Sequence, residues 1–292
     1  MIKILVTGAN GQLGQELQAL VVHFPTLRCT FADRLELDIT NQEAVTTFFA
    51  QHEFEYCINC AAYTAVDKAE QEQELCYAIN ARGAANLAIA CYTQGARLIH
   101  ISSDYVYHNT CNRPLTEDDP TTPQGVYAQT KLAGDQLVLQ HNPATVVLRT
   151  SWVYSSFGAN FVKTMLRLGA ERPELRIVYD QVGAPTYAAD LAQAITDLIL
   201  SGKAAQNPGI YNYSNEGVTS WYDFAKTIFE LADISCQVHP IESKDYPTPA
   251  SRPHYSLLNK AKFKNTFGFD IPHWKESLAS CLEAMNIFPM PY

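Results

Sequence analysis

Tyr127 and Lys131 stand four residues apart in the stretch VYAQTK, with Thr130 between them. On a helix, residues i and i+4 share a face, so the phenol and the ammonium would point into one space. A lysine charge there favours the phenolate and is expected to draw the tyrosine pKa down from its reference of about 10. A phenol tuned in that way exchanges a proton at physiological pH. Ser102 and Ser103 close the apolar run ARLIHISS. A hydroxyl at such a strand end can hydrogen-bond a carbonyl oxygen and stabilise the charge developing on it. Alone, such a serine reads as a turn cap. Together with Tyr127 and Lys131, Ser103 completes a set able to protonate a carbonyl.

The segment TGANGQLG places Gly8, Gly11 and Gly14 as G-x-x-G-x-x-G between an apolar run and a helical pattern. Glycines let the backbone turn tightly and approach a pyrophosphate, whose charge the helix N-terminus then stabilises. This is the geometry of a dinucleotide site. The second strand of such a site ends at the residue that reads the adenosine ribose: an acid for a 2′-hydroxyl, an arginine for a 2′-phosphate. Asp33 and Arg34 supply both, so the choice between NADH and NADPH stays open.

These groups need a scaffold. Apolar runs at 2–8, 27–32, 55–62, 96–103 and 144–150 alternate with amphipathic stretches, the first carrying Leu13, Leu17, Leu20 and Val21 on one face. Thr40 and Glu43 are spaced as a capping box, and a long helical region is expected through about Thr93. The pattern predicts an α/β fold: a Rossmann-type doubly wound parallel sheet over 1–150, covered on both faces. Such sheets bind ligands at the carboxyl ends of their strands. Gly8, the Ala62–Thr64 segment and Ser102–Asp104 all fall there. Residues 151–292 read as a smaller mixed α/β substrate lobe, with helices near 158–171, 188–201, 220–232 and 273–285; the helix near 188–201 is a candidate to return to the sheet.

The chain has 292 residues, 47% of them hydrophobic and 17% charged, enough for a full core. Twenty-one basic against 30 acidic side chains give a net charge of −9, which disfavours nucleic acid or an anionic membrane as the main partner. No apolar stretch reads as a signal peptide or a membrane span, so a cytoplasmic protein is expected. The eight cysteines sit in apolar surroundings. Cys57 and Cys60 form a C-x-x-C, but on a strand residues three apart face opposite sides, so packing is expected instead of redox or zinc chemistry. The histidines show no metal-ligand spacing.

At this level of detail the chain resembles the extended short-chain dehydrogenase/reductase superfamily. Within it, the segments TAVDKAE (64–70), SWVY (151–154) and PTPASRP (247–253) resemble the dTDP-4-dehydrorhamnose reductase family. The resemblance implies that Tyr127 is the general acid, that Lys131 partners it and holds the nicotinamide ribose, and that Ser103 is the third member, where the family more often has Thr. It further implies cofactor contacts at Gly11, Gln12 and Leu13, at Asp38 and Ile39 near the adenine, and at Ala62, Tyr63 and Thr64. Ser103, Asp104 and Trp152 would contact the sugar nucleotide, a small dTDP-sugar. Some members hold magnesium between subunits; Glu16 matches one ligand position, but Ala189 stands where a glutamate is expected, so no metal site is predicted. A monomer or homodimer is expected.

The implied reaction is NADPH- or NADH-dependent reduction of the C4 ketone of dTDP-4-dehydro-β-L-rhamnose, the last step of dTDP-rhamnose synthesis. Three other readings compete, the least favoured being a purely structural protein, which the clustering of chemistry at strand ends argues against. A sugar-nucleotide 4-epimerase or 4,6-dehydratase shares the glycine turn and the Tyr/Lys pair, although a dehydratase carries Asp-Glu where this chain has Asp104-Tyr105. A non-catalytic, reductase-like regulatory subunit would keep the fold without turnover.

Overall fold

The first half of the chain, in a computed structural model that describes residues 1–108 and 111–287, alternates strands with helices. The strands are β1 (Ile2–Thr7), β2 (Leu27–Ala32), β3 (Tyr56–Asn59), β4 (Arg97–Ser103) and β5 (Val146–Thr150). Between them run helices α1 (Gln12–Val21), α2 (Gln42–Gln51), α3 (Val66–Ala69), α4 (Gln73–Tyr77), α5 (Ala84–Gln94) and α6 (Gly125–His141). The second half begins with β6 (Val153–Tyr154), α7 (Phe161–Glu171), β7 (Glu174–Val178), β8 (Val182–Gly183) and β9 (Thr186–Tyr187). It continues with α8 (Ala188–Leu200), α9 (Lys203–Gln206), β10 (Gly209–Asn212), β11 (Thr219–Ser220), α10 (Trp221–Leu231), β12 (Gln237–Ile241), α11 (Ala261–Phe267) and α12 (Trp274–Ala284).

Six strands form one parallel sheet in the order β2-β1-β3-β4-β5-β10. Because side chains alternate along a strand, each run of apolar residues feeds both faces. Leu5, Cys57, Leu98 and Val147 pack on Val45, Phe49, Leu87 and Val138 from α2, α5 and α6. Ile4, Val6, Ile58, Ile99 and Leu148 pack on Leu13 and Leu17 of α1, Leu191, Ile195 and Leu198 of α8, and Phe263 of α11. So α8, β10 and α11 rejoin the sheet, while α7, α10 and α12 enclose a separate core of Tyr154, Val162, Phe224, Ile228 and Leu278. Cys57 and Cys60 fall on opposite faces of the sheet, both as free thiols.

Strand order reverses between β1 and β3, which opens a crevice at their carboxyl ends. Most of the candidate site residues collect there.

Two local expectations are corrected. The cap of α2 is Asn41, whose side chain accepts from Ala44 N at 3.0 Å; the Thr40 hydroxyl is spent on Asp38 Oδ1 at 2.7 Å. The long helix through Thr93 is instead α3, α4, a π-helical turn at Ala78–Gly83 and α5. Widened turns of this kind concentrate at functional sites. Here the turn aims Asn80 at Tyr63 and Thr130, donating to Tyr63 O and Thr130 Oγ1 at 3.2 Å each. Gly134 makes the approach of α6 to this turn possible, since a side chain there would collide with the Asn80 carbonyl. No described helix is long and apolar enough to cross a membrane.

Candidate active site

The glycine turn is built by sterics first. Gly8 has φ +69°, and a Cβ there would lie 2.6 Å from Ala61 N. Only glycine lets the end of β1 pass so close to the segment after β3. Gly14 packs against the Gly8 carbonyl in the same way. Helix α1 then starts at Gly11 with no side-chain cap and no acid in its first turn. Its free N–H groups and partial positive charge face the crevice, an arrangement suited to a pyrophosphate. These residues fit a dinucleotide.

A cleft of about 570 Å³ runs from this turn. Asn10, Gly11, Gln12, Leu13 and Gly14 line one part of it; Ala62, Thr64, Ser103, Asp104, Tyr127, Lys131 and Trp152 line the rest. The structure therefore brings the hydroxyl, the phenol and the ammonium to one space. Gly8 and Tyr63 stand just outside the lining. Tyr63 is tied to its own side of the crevice, its hydroxyl donating to Glu72 Oε2 at 2.7 Å and its amide to Asn80 Oδ1 at 2.8 Å. Asp38 and Ile39 are also outside this lining. Asp38 Oδ1 accepts from the amide and hydroxyl of Thr40 at 2.9 and 2.7 Å, and Ile39 is buried among Leu37, Val45 and Leu87.

Each chemical group has a structural cause. Ser103 sits level with Thr150 at the end of β4 and opens a 3₁₀ turn. Its Oγ accepts from Tyr105 N and donates to Asp104 Oδ1, both at 3.2 Å. Tyr127 lies in the first turn of α6, whose start has no cap of its own. Glu70 serves instead, accepting from Val126 N at 2.8 Å. Tyr105 packs edge-on to Tyr127, with centroids 5.6 Å apart.

The expected downward pull on the phenol is not what the structure produces. Burial pushes Tyr127 up to about 12, with the nearby Ser103 hydroxyl offsetting part of that rise. The Lys131 ammonium donates one hydrogen bond to Ile101 O at 2.7 Å. Lys131 is 2% exposed, and burial brings it down to about 8 while Asp135 pulls it back up. Desolvation sets both shifts, and neither group is a cause of the other's. Asp104, also buried, is raised to about 6 because burial penalises its charge. Its Oδ2 has no hydrogen-bond partner among the described residues.

Below the cleft lies a charge network that sequence reasoning did not single out. Asp135, one turn beyond Lys131, accepts from Arg149 Nε at 3.0 Å. Arg149 Nη1 donates to Tyr107 OH at 2.7 Å, and Tyr107 donates to Asn212 Oδ1 at 3.2 Å. Asp135, Arg149 and His100 are all almost fully buried. The one available signal was an i, i+4 acid after Lys131. Glu16 is also buried, where it accepts from Ser155 Oγ at 2.5 Å and burial raises its pKa.

At the adenosine end, Asp33 accepts from Asn10 Nδ2 and, through Oδ1, from Leu35 N at 2.7 Å. Arg34 is largely exposed, 3.8 Å from Asp38 Oδ2.

Comparison with known proteins identifies the family. The family model described as the RmlD substrate binding domain matches residues 2–287. The dTDP-4-dehydrorhamnose reductase of Aggregatibacter actinomycetemcomitans is 39% identical over 287 residues, spanning 95% of this chain and 97% of that protein. Among solved structures, a dTDP-4-dehydrorhamnose reductase from Clostridium acetobutylicum superposes with a TM-score of 0.93 at 43% identity, covering 98% of this chain and all of that one. The Bacillus anthracis reductase, solved in complex with NADP, gives a TM-score of 0.93 at 39% identity, covering 97% of this chain and all of that one. With most of its length matched, in sequence and in space, the chain belongs to the RmlD family, that of the dTDP-4-dehydrorhamnose reductases.

Proposed function

We propose that the protein reduces the C4 ketone of dTDP-4-dehydro-β-L-rhamnose to give dTDP-L-rhamnose, closing the synthesis of that activated sugar. The observation that carries this reading is the single cleft shared by Ser103, Tyr127, Lys131 and the α1 glycine turn. A bound nicotinamide dinucleotide supplies the hydride. Tyr127 gives its phenolic proton to the carbonyl oxygen. Held near 12, that proton is present throughout the physiological range and still passes readily to an alkoxide, a stronger base than any phenolate. Ser103 turns its one hydroxyl hydrogen from Asp104 Oδ1 to the same oxygen and steadies its charge. Lys131, anchored on Ile101 O, keeps further N–H donors for the nicotinamide ribose and places a positive charge beside the phenol.

Asp104 offers the substrate a buried carboxyl with one free oxygen, a demanding partner for a sugar hydroxyl. The aromatic Tyr105 next to it leaves no adjacent second acid, which favours reduction over dehydration. With Asp33 engaged by Asn10 and Leu35, Arg34 is the group left to read the 2′ position, which favours NADPH. The protein acts on a small dTDP-sugar and needs neither nucleic acid nor a membrane.

The test is loss of NADPH absorbance with enzymatically generated dTDP-4-dehydrorhamnose, repeated with NADH and with the UDP analogue. Turnover with NADPH and the dTDP substrate is expected. No consumption of either cofactor would end the reductase reading, and protein purified with tightly bound NAD would point to an epimerase.

A further inference from the structure

Trp152 has φ +48°, a left-handed conformation that bulky side chains rarely adopt. Strain of this kind persists only where the surroundings over-determine it, and it gathers at functional sites. The elements around Trp152 supply that constraint. Ser151 Oγ, just before it, donates to Ala184 O at 2.6 Å, and the Trp152 carbonyl accepts from Thr186 N at 3.3 Å. The indole stacks on Trp221 with ring centroids 3.7 Å apart and planes 11° from parallel. At its benzo edge lies Gly183, where a Cβ would come within 3.0 Å of Trp152 Cζ2.

Gly183 and Trp221 arrive together. Strands β8 and β11 pair antiparallel, Thr219 opposite Gly183, and Trp221 follows directly as the first residue of α10. Phe161 braces Trp221 in turn, with centroids 4.7 Å apart. Trp152 lines the cleft, whereas Trp221 is not part of its lining. The aromatic seat belongs to segments after residue 150, not to the glycine turn.

Building on the reductase reading, we infer that Trp221 is a positioning residue for the sugar nucleotide: it holds the Trp152 indole as a fixed apolar wall for the deoxyhexose ring. A 6-deoxy sugar presents a methyl group and ring C–H bonds, which pack on an aromatic face. A mobile indole would have to be ordered at each binding event, and the stack on Trp221 removes that cost. Substrate therefore meets a wall already in place.

The experiment compares Trp221→Ala, Trp221→Phe and Gly183→Ala with the unsubstituted protein. Two readouts are taken: steady-state kinetics with NADPH and dTDP-4-dehydrorhamnose, and the far-ultraviolet circular dichroism couplet that stacked indoles produce. Trp221→Ala should lose the couplet and raise KM for the sugar nucleotide about three- to tenfold, with KM for NADPH and kcat nearly unchanged. Trp221→Phe should keep most of the affinity. Gly183→Ala leaves Trp221 in place and crowds both the Ser256 hydroxyl and the indole edge, so it should also raise the sugar-nucleotide KM; should Trp221→Ala fail to fold, Trp221→Leu decides the matter, since it also removes the stack. A lost couplet with an unmoved sugar KM overturns the inference, as does an equal rise in both KM values. An unsubstituted protein that neither reduces nor binds the sugar nucleotide would instead remove the reductase reading itself.

Discussion

Lys131 donates from its ammonium to the main-chain carbonyl of Ile101, 2.7 Å away, tying α6 to β4 two residues before Ser103. The lysine is thereby fixed without being consumed, since an ammonium carries three donors. Its near-complete burial has a second effect, on its proton.

With Lys131 lowered to about 8, its charge is lost as pH rises through that value, and kcat/KM should fall above it. Stability should move the other way. Between about 8 and the unfolded value near 10.5, the unfolded chain binds a proton that the folded chain has released, so unfolding free energy rises with pH. Urea unfolding of the unsubstituted protein and Lys131→Met at pH 7 and 9.5 checks this. The former should gain stability relative to the variant across that interval, by about 1–3 kcal/mol. A constant difference would contradict the assignment.

Tyr127→Phe keeps the ring and deletes the proton. Turnover should drop by about 10²–10⁴ while NADPH binding, followed by fluorescence titration, stays within a few-fold. Wild-type turnover would place the proton source elsewhere.

Asp104 is held at about 6, above its ordinary 3.8. Between those values the folded chain binds more protons than the unfolded one, so stability falls as pH rises and the cost is complete above about 6. Asp104→Asn should therefore be more stable than the unsubstituted protein at pH 7, by roughly 2 kcal/mol, with little gain at pH 4. Its KM for the sugar nucleotide should rise. Thermal unfolding at the two pH values, beside kinetics at pH 7, reads both effects.

Asp135 and Arg149 form a buried pair at 3.0 Å. Asp135→Asn would strand a guanidinium in the core, at a cost of about 3–5 kcal/mol. The double variant Asp135→Asn/Arg149→Met removes both charges and should recover most of that loss in urea unfolding. Additive losses in the double variant would show that the two residues do not act as a pair.

The chain by itself determined the parts that depend on neighbours in sequence. Gly8, Gly11 and Gly14 announced a tight strand-to-helix turn. The apolar runs announced a parallel sheet buried on both faces, and the four-residue spacing put Tyr127 and Lys131 on one side of α6. The segment TAVDKAE and its companions carried the family. The turn, the sheet and the shared helix face are short-range signals, set by backbone sterics and by helical or strand periodicity; the family came from resemblance alone.

Tertiary structure decided what depends on distance and dielectric. The sign of the Tyr127 shift is set by lost water, with the Ser103 hydroxyl as the offset, and the Tyr127–Lys131 spacing reports neither. Asn80 reaches Thr130 through a π-helical turn, Arg149 meets Asp135 across the core, and Trp152 stacks on Trp221 from another element. Strand β10 joins β5 across the 58 residues that separate Thr150 from Gly209. Burial and long-range pairing belong to the packed molecule as a whole, and no local pattern of residues encodes them.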